Sequence, residues 1–161
     1  MQPDMKNTWM QNQLGQLPAE SASAGEPPLT ERTREMSKLE DVVLALTRII
    51  FALLFACHGA QKLFGAFGGH PALHNPWTLA AGILEFGGGV LIGLGLFTKP
   101  VALVLSGEMA VAYFRAHFHL PGGFWPIVNH GELAVLYCFF YLYLAFRGAG
   151  NASFDGARGK A

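Results

Sequence analysis

The chain has 161 residues, of which 52% are hydrophobic and only 14% are charged, and its formal net charge is +0. A soluble domain usually has about 25% charged residues, so this composition favours burial in lipid and gives no basic excess for a nucleic-acid partner. The two cysteines, Cys57 and Cys138, lie in apolar runs without a CxxC or Cys/His spacing, which excludes a disulfide-stapled secreted fold.

The first 38 residues are polar and rich in Pro, Ser, Gln, Glu and Gly. Such a segment cannot bury enough apolar surface to offset its ordering entropy, so residues 1–38 are predicted to be a disordered leader. A second hypothesis concerns the start site, because Met36 opens the segment MSKLEDVVLAL, a natural beginning for a membrane protein. A peptide from residues 1–35 in the native protein would contradict that start.

Four apolar segments follow, at about residues 42–64, 78–97, 100–120 and 131–147. Each has ~17–23 residues, which at 1.5 Å per residue is close to the thickness of the hydrocarbon core. A soluble bundle would need a polar face on each helix, and the third and fourth segments have none. The predicted fold is therefore all-α, a polytopic membrane four-helix bundle over residues 39–150 with a tail at 151–161.

The connections between the segments support this assignment. The loops at residues 65–77 and 121–129 are rich in Gly and Pro, and Pro100 is placed to open the third helix. Lys and Arg lie mainly before the first segment, at Lys99 and after the fourth segment. The positive-inside rule then predicts that both termini are cytoplasmic.

The most informative residues are the ionisable side chains inside the predicted spans. An isolated charge at mid-bilayer costs at least ~2.5–3.5 kcal/mol, so such groups should turn inward and pair. These residues, with the neighbouring amide, are Arg48, His58, Gln61, Lys62, Glu85, Glu108, Arg115, His117, His119 and Glu132.

Helical spacing groups these residues into stripes. His58 and Lys62 are i, i+4 and share one face with Arg48. Glu108, Arg115 and His119 form a second stripe, from which His117 points away. From their depths, Glu85 and Glu132 are predicted to meet His58, Lys62 and Arg115 near the outer surface. Arg48 is predicted to pair with Glu108 nearer the cytoplasm.

Two readings of this buried polar cluster remain open. Either the ion pairs are structural and set the packing of the bundle, or one group is unpaired and reachable and forms a proton-coupled or quinone-type site. Mutation of Glu85 or Glu132 to Gln would separate the two readings, because only a structural pair loses stability.

Three smaller motifs complete the candidates. Gly89 and Gly93 form a GxxxG that predicts close helix packing. Cys57 and Cys138 are placed at similar depths, so they are either buried free thiols or a redox pair. The HxxxH of residues 70–74 contains Pro71 and predicts no metal site.

Several segments resemble the DoxX family of small bacterial membrane proteins, over about residues 37–156. They are HGAQKLFG (58–65), LEFGGGVLIGLGLFTKP (84–100), SGEMAVAYFRAHF (106–118), GFWPIVNHGELAVLYCFFYLYLAFRGAG (123–150) and SFDG (153–156). The resemblance implies a four-helix fold in the bacterial plasma (inner) membrane. It also implies that the family's shared polar positions correspond to His58, Gln61, Lys62, Glu85, Glu108 and Glu132.

The family's name comes from the small subunit of a membrane thiosulfate:quinone oxidoreductase. The leading hypothesis is therefore a subunit of a quinone-linked membrane redox system. Quinone is then the candidate cofactor, and the expected partners are the lipid bilayer and either an oxidoreductase or a second copy of the chain. The alternatives are a non-enzymatic anchor or assembly factor and a small transporter.

Overall fold

The computed structural model describes residues 29–71, 74–119, 121 and 123–160, and every regular element in these residues is helical. Contacts divide the chain into two units, residues 1–36 and 37–161. The α-helices are α1 (Leu29–Phe64), α2 (Pro76–Leu94), α3 (Thr98–Ala112), α4 (Pro126–Asn129), α5 (Glu132–Arg147) and α6 (Phe154–Ala157). A 3₁₀ turn, Ala66–Gly68, follows α1, and a π-helical turn, Tyr113–His117, continues α3. The all-α prediction is confirmed.

The first helix begins at Leu29, well before the predicted start at Val42. The prediction that residues 29–38 are disordered is therefore wrong. The segment LTERTREMSK is rich in good helix formers and has Glu31 in its first turn, where a negative charge is favourable. Adding residues to an existing helix avoids the cost of nucleation, which composition alone does not reveal. The predicted leader over residues 1–28 lies outside the described residues.

Two helices, α1 and α2, are long and apolar enough to cross a membrane. Helices α3 and α5 have 15 and 16 residues. All four expose large apolar side chains, for example Leu53 on α1 and Phe139 on α5, which are 63% and 65% exposed. Soluble proteins rarely show apolar surface on this scale, so these faces suit contact with lipid.

Helices α1 and α2 approach closely where glycine replaces a larger side chain. A Cβ atom on Gly59 would overlap the backbone nitrogen of Phe86, and one on Gly89 would lie 2.9 Å from the carbonyl oxygen of Ala52. A Cβ atom on Gly93 would be 3.6 Å from the Cβ of Ala52, which is ordinary contact. Gly89 therefore has the packing role predicted for the GxxxG motif, and Gly59 contributes as strongly.

Aromatic side chains fill the core between α1 and α5. Phe55 contacts the rings of Tyr137 and Tyr141, with centroids 4.9 Å apart in both cases. Tyr137 and Tyr141 stack on each other at 5.8 Å. Phe55 is 1% exposed and Tyr141 is 0% exposed. These rings hold α5 against the inner face of α1.

The turn between α2 and α3 is closed by Asp155 of α6. Gly95 ends α2 with φ 67°, and Phe97 follows with φ 52°, an uncommon conformation for a residue with a side chain. The backbone N–H of Phe97 donates to Oδ1 of Asp155 at 3.0 Å, and that of Thr98 donates to Oδ2 at 2.7 Å. Asp155 is thus an N-cap for α3, supplied from 57 residues further along the chain.

Arg48 joins α1 to the same end of the bundle. Its Nη1 donates to the carbonyl oxygens of Ile92 and Gly93, both at 2.6 Å, and its Nη2 donates to that of Ala152 at 2.8 Å. The side chain is only 1% exposed. The last carbonyls of α2 carry the negative end of the helix dipole, so a guanidinium is favourable there. Arg48 therefore connects α1, α2 and the segment before α6.

The Asp155 cap predicts a stability effect. We expect Asp155→Asn to lower the free energy of unfolding by about 1–2 kcal/mol, because an amide offers one acceptor oxygen to two N–H donors. Unfolding by SDS in mixed micelles measures the change. The exposed carboxylate Glu132 gives a matched control as Glu132→Gln. Equal stability of the two variants would contradict the capping role.

The same cap predicts a dependence on pH. Burial by itself raises the pKa of Asp155, but hydrogen bonds from the backbone N–H groups of Thr98 and Phe97 outweigh it and hold the pKa below its usual value of 3.8. The stability from this contact is therefore fully present above pH 3.8 and is lost as the pH falls through the lower folded-state pKa. Asp155→Asn should remove this part of the acid dependence.

At the opposite end of the bundle, Asn129 organises the segment between α3 and α5. Its Nδ2 donates to the carbonyl oxygen of Gly123 at 2.7 Å and to the hydroxyl of Tyr113 at 3.2 Å, while its Oδ1 accepts from the N–H of Gly131 at 2.9 Å. The hydroxyl of Tyr113 donates in turn to the carbonyl oxygen of Phe124. Asn129 is 1% exposed, and these bonds satisfy its buried amide.

Candidate ligand-binding site

A cavity of about 650 Å³ lies between α1, α2, α3 and α5. Its walls are mostly apolar, and nearly all the polar side chains in them are ionisable. The polar lining residues are His58, Lys62, Thr78, Glu85, Glu108, Arg115, His117, His130 and Tyr137. This volume falls in the range of small-molecule pockets, which are typically apolar with a few polar groups.

Lys62 and Glu85 form an ion pair across the α1–α2 contact. The Nζ atom of Lys62 lies 2.7 Å from Oε1 and 2.5 Å from Oε2 of Glu85. The Glu85 side chain is 5% exposed and that of Lys62 is 33% exposed. Both oxygens of Glu85 are therefore occupied by one ammonium, and the charges of the two residues offset each other.

Glu108 lies in the wall contributed by α3 and has no such cation. Its Oε2 atom is buried and has no hydrogen-bond partner among the described residues. It is close enough to Glu85 and Lys62 to interact with them electrostatically. Of the two carboxylates that line the cavity, Glu108 is the one with unused hydrogen-bonding capacity.

The prediction that Arg48 pairs with Glu108 is wrong. Arg48 donates to the carbonyl groups of α2 and of Ala152, at the α6 end of the bundle. A guanidinium has five donors in a plane, so helix-terminal carbonyls compete well with a carboxylate on another helix. Arg48 is part of the scaffold and does not line the cavity.

The prediction that Glu132 joins the cluster is also wrong. Glu132 is the first residue of α5, is exposed, and is absent from the cavity lining. A carboxylate is favourable in the first turn of a helix, where it faces the positive end of the dipole. The rotation of Glu132 about α5 turns its side chain away from the cavity.

The π-helical turn changes which side chains of α3 reach the cavity. The N–H of Phe118 donates to the carbonyl of Tyr113, an i→i+5 bond that adds one residue to the turn. Arg115 and His117 both line the cavity, whereas the predicted stripe contained His119 and excluded His117. An extra residue rotates the following side chains by about 100°, which explains the exchange.

Arg115 and His117 are held near the start of α2 and the loop before α5. The guanidinium of Arg115 lies 4.0 Å from the centre of the Trp77 ring, a cation–π contact. The Nδ1 atom of His117 is 3.1 Å from the carbonyl oxygen of Asn129. Trp77 was not among the site residues predicted from the sequence, and its contact with Arg115 is a finding of the structure.

The remaining candidates of α1 sit close to the Lys62–Glu85 pair. The Nδ1 atom of His58 is 3.3 Å from Oε1 of Gln61, and the His58 ring lies 6.4 Å from that of Tyr137. His58 lines the cavity and Gln61 does not. Gln61 therefore orients His58 from behind the cavity wall.

The cysteines and the histidines of the HxxxH segment were the remaining candidates for redox chemistry and metal binding. Cys57 and Cys138 are both free thiols, and the Sγ of Cys138 is 3.6 Å from the hydroxyl oxygen of Ser106. A redox pairing of the two stays a prediction. Within the described part of the chain, no group of three or more His, Cys, Asp or Glu side chains could hold a metal ion. Residues 72 and 73 of the HxxxH segment lie outside that part.

The chain is similar in sequence to known membrane proteins. The family model DoxX matches residues 43–118. A protein of Haemophilus influenzae described as uncharacterized is 42% identical over 125 residues, covering 74% of this chain and 93% of the relative. Inner membrane protein YqjF of Escherichia coli is 32% identical over 128 residues, covering 74% of this chain and 95% of that protein. No solved structure matches the chain at a significant level.

These relatives are matched over nearly their whole length, and the matched family segment contains α1 from Val43, α2 and α3, which supply most of the cavity wall. The family resemblance of the sequence motifs is therefore confirmed, and the chain is a membrane protein that belongs to the DoxX family.

Proposed function

We propose that this chain crosses the bacterial inner membrane four times and binds the polar ring of a quinone in its central cavity, as a subunit of a membrane redox system. The observation that carries the proposal is the cavity of about 650 Å³, with apolar walls, the Lys62–Glu85 pair and the buried, unpartnered oxygen of Glu108. The name of the relative YqjF supports the location.

The four spans are supported by the contacts at one end of the bundle. Asn151 donates to the carboxylate of Asp41 at 2.6 Å, so the start of the first span and the end of the fourth lie at the same end. An even number of crossings brings both ends to one side. Lys99 lies in the first turn of α3 at that end, and Arg147 ends α5. The positive-inside rule then makes this the cytoplasmic side.

The chemistry of the cavity favours a quinone over a purely apolar lipid. A quinone ring is flat and apolar on its faces and has two carbonyl oxygens that accept hydrogen bonds. The cavity offers donors on α1 at His58 and Lys62 and on the α3 side at Arg115 and His117, separated by apolar walls. An electron donor would reside on a partner oxidoreductase, and this chain's residues would bind the ring and handle protons.

A cavity-filling substitution tests the proposal. Gly107 lines the cavity, and a Cβ atom built there meets nothing within 4 Å, so Gly107→Leu should fill space without a clash. Gly87 on α2 is equally open but lies outside the lining, which makes Gly87→Leu a matched control. Both changes replace a helical glycine by a better helix former, so both should fold.

We expect the wild-type chain, purified gently from its own membrane, to carry a stoichiometric quinone. Gly107→Leu should weaken binding of a short-chain quinone about tenfold or more, equivalent to at least about 1.4 kcal/mol, and Gly87→Leu should not. Mass spectrometry of extracted lipids and a titration followed by tryptophan fluorescence measure this. Equal affinity in the two variants would rule out the cavity as the site.

The same preparation separates the alternatives. A partner protein without quinone would favour an anchor or assembly factor. A chain with neither, which still exchanges a solute across vesicles, would favour a transporter.

A further inference from the structure

Two buried polar side chains in and near the cavity wall have atoms without a hydrogen-bond partner in the described part of the chain. Glu108 presents a buried oxygen without a hydrogen-bond partner, and the hydroxyl of Tyr141 is likewise buried and without a partner in the described chain. Tyr141 is 0% exposed. Buried polar groups in native proteins are nearly always satisfied, so these two exceptions call for an explanation.

The two groups belong to one region of the core. Leu105 and Met109, which flank Glu108 along α3, pack in the same apolar cluster as Tyr137 and Tyr141 of α5. Tyr141 interacts electrostatically with Glu108 and Glu85. The Glu108 carboxyl and the Tyr141 hydroxyl are therefore close enough to interact electrostatically, although they are not hydrogen-bonded to each other.

Lys62 is the cation that favours the ionised form of Glu108, and its charge is shared with Glu85. From α1, Lys62 is already engaged by both oxygens of Glu85, and His58 lies beside Gln61. From α2, Glu85 adds a like charge. From α5, Tyr137 and Tyr141 are neutral hydroxyls, and on the same helical run Arg115 is exposed and stacks on Trp77.

An ionised carboxylate in an apolar interior is far more costly than a protonated one, unless a cation and hydrogen-bond donors surround it. We propose that Glu108, which lines the cavity, forms a proton-binding site with Tyr141, which is buried in the core outside the cavity lining, and that Glu108 is protonated in the resting state. The bound species is a single proton, exchanged between the carboxylate and solvent that enters the cavity. The inference stands whether or not the cavity ligand is a quinone.

Infrared difference spectroscopy of the full chain in lipid vesicles tests this site during a pH titration. We expect the C=O stretch of a protonated carboxylic acid at neutral pH, lost reversibly at alkaline pH. Glu108→Gln should remove the band, whereas Glu132→Gln, which changes an exposed carboxylate outside the cavity, should keep it. A wild-type spectrum without the band, or a band that survives in Glu108→Gln, would overturn the proposal.

Tyr141→Phe is the second variant. It tests the interaction between Glu108 and Tyr141 even if Glu108→Gln does not fold. Loss of the neighbouring hydroxyl should shift the frequency of the acid band, because that frequency depends on local hydrogen bonding and polarity. An unshifted band would overturn the pairing of Glu108 with Tyr141. Quinone content plays no part in these readouts, so failure here is distinguishable from failure of the quinone proposal.

Discussion

Glu85→Gln should lower the free energy of unfolding by about 3 kcal/mol, the largest effect expected in the cavity wall. The substitution leaves the ammonium of Lys62 without a counter-charge between two helices. Breaking a buried ion pair by removing one partner usually costs about 3–5 kcal/mol, and the lower end applies because Lys62 is one-third exposed. Unfolding by SDS in mixed micelles measures the loss.

The double variant Lys62→Gln with Glu85→Gln shows whether the loss comes from the unpaired charge. We expect it to recover most of the stability, since a neutral pair of similar size is often as stable as a buried ion pair. Glu132→Gln should change stability by no more than about 0.5 kcal/mol, because that residue is exposed. If Glu85→Gln were as stable as Glu132→Gln, the ion pair would contribute nothing to the fold.

Arg48→Met should cost about 4 kcal/mol, because it removes a charged donor from three carbonyl oxygens at once. Methionine fills a similar volume, so the loss reports the hydrogen bonds more than a cavity. The effects of the three bonds are not additive, since all depend on one guanidinium. The same SDS titration measures it, with expression level in the membrane as a second readout.

Two further variants make the Arg48 test specific. Arg48→Lys keeps the charge but cannot reach three carbonyls in a plane, so it should lose a substantial part of the stability. Arg147→Met removes an exposed arginine at the end of α5 and should be nearly neutral. Full stability of Arg48→Lys would show that charge alone matters at this position.

The position of α2 followed closely from the sequence. The second helix was predicted from residue 78 and begins at Pro76, where Asn75 accepts hydrogen bonds from the N–H groups of Trp77 and Thr78. Proline in the first turn and glycine after the last are local signals, readable without tertiary contacts. The third helix was predicted to run to residue 120, but it passes into a π-helical turn after Ala112 that no periodicity indicated.

The sequence predicted only some of the residues that line the cavity. Helical spacing placed His58 and Lys62 on one face of α1, and both line the cavity. Periodicity gives the angle of a side chain about its own helix but not the rotation of that helix against its neighbours. Glu132 turned outward for this reason, whereas His117 turned inward because the π-helical turn adds a residue to α3.

The structural roles of some residues in the C-terminal tail and in the loop before α5 were not predicted from the sequence. Asp155 and Ser153 lie in the SFDG segment, whose Ser-x-x-Gly spacing fits a local cap, and the Oγ of Ser153 does accept from the N–H of Gly156 at 2.9 Å. Nothing in that spacing reveals that Asp155 also caps α3. Asn129 was likewise read as part of a loop, although it is among the most buried polar residues.

Composition, apolar run length, local turn residues and sequence motifs were enough to predict the membrane character of this protein, its family and its approximate helices. The packing of the helices against one another is what pairs Lys62 with Glu85 and brings Arg48 to helix-terminal carbonyls. It also leaves Oε2 of Glu108 without a hydrogen-bond partner among the described residues. Each of these outcomes is a competition among donors and acceptors from several helices. It is resolved only when those helices pack at a particular rotation and depth.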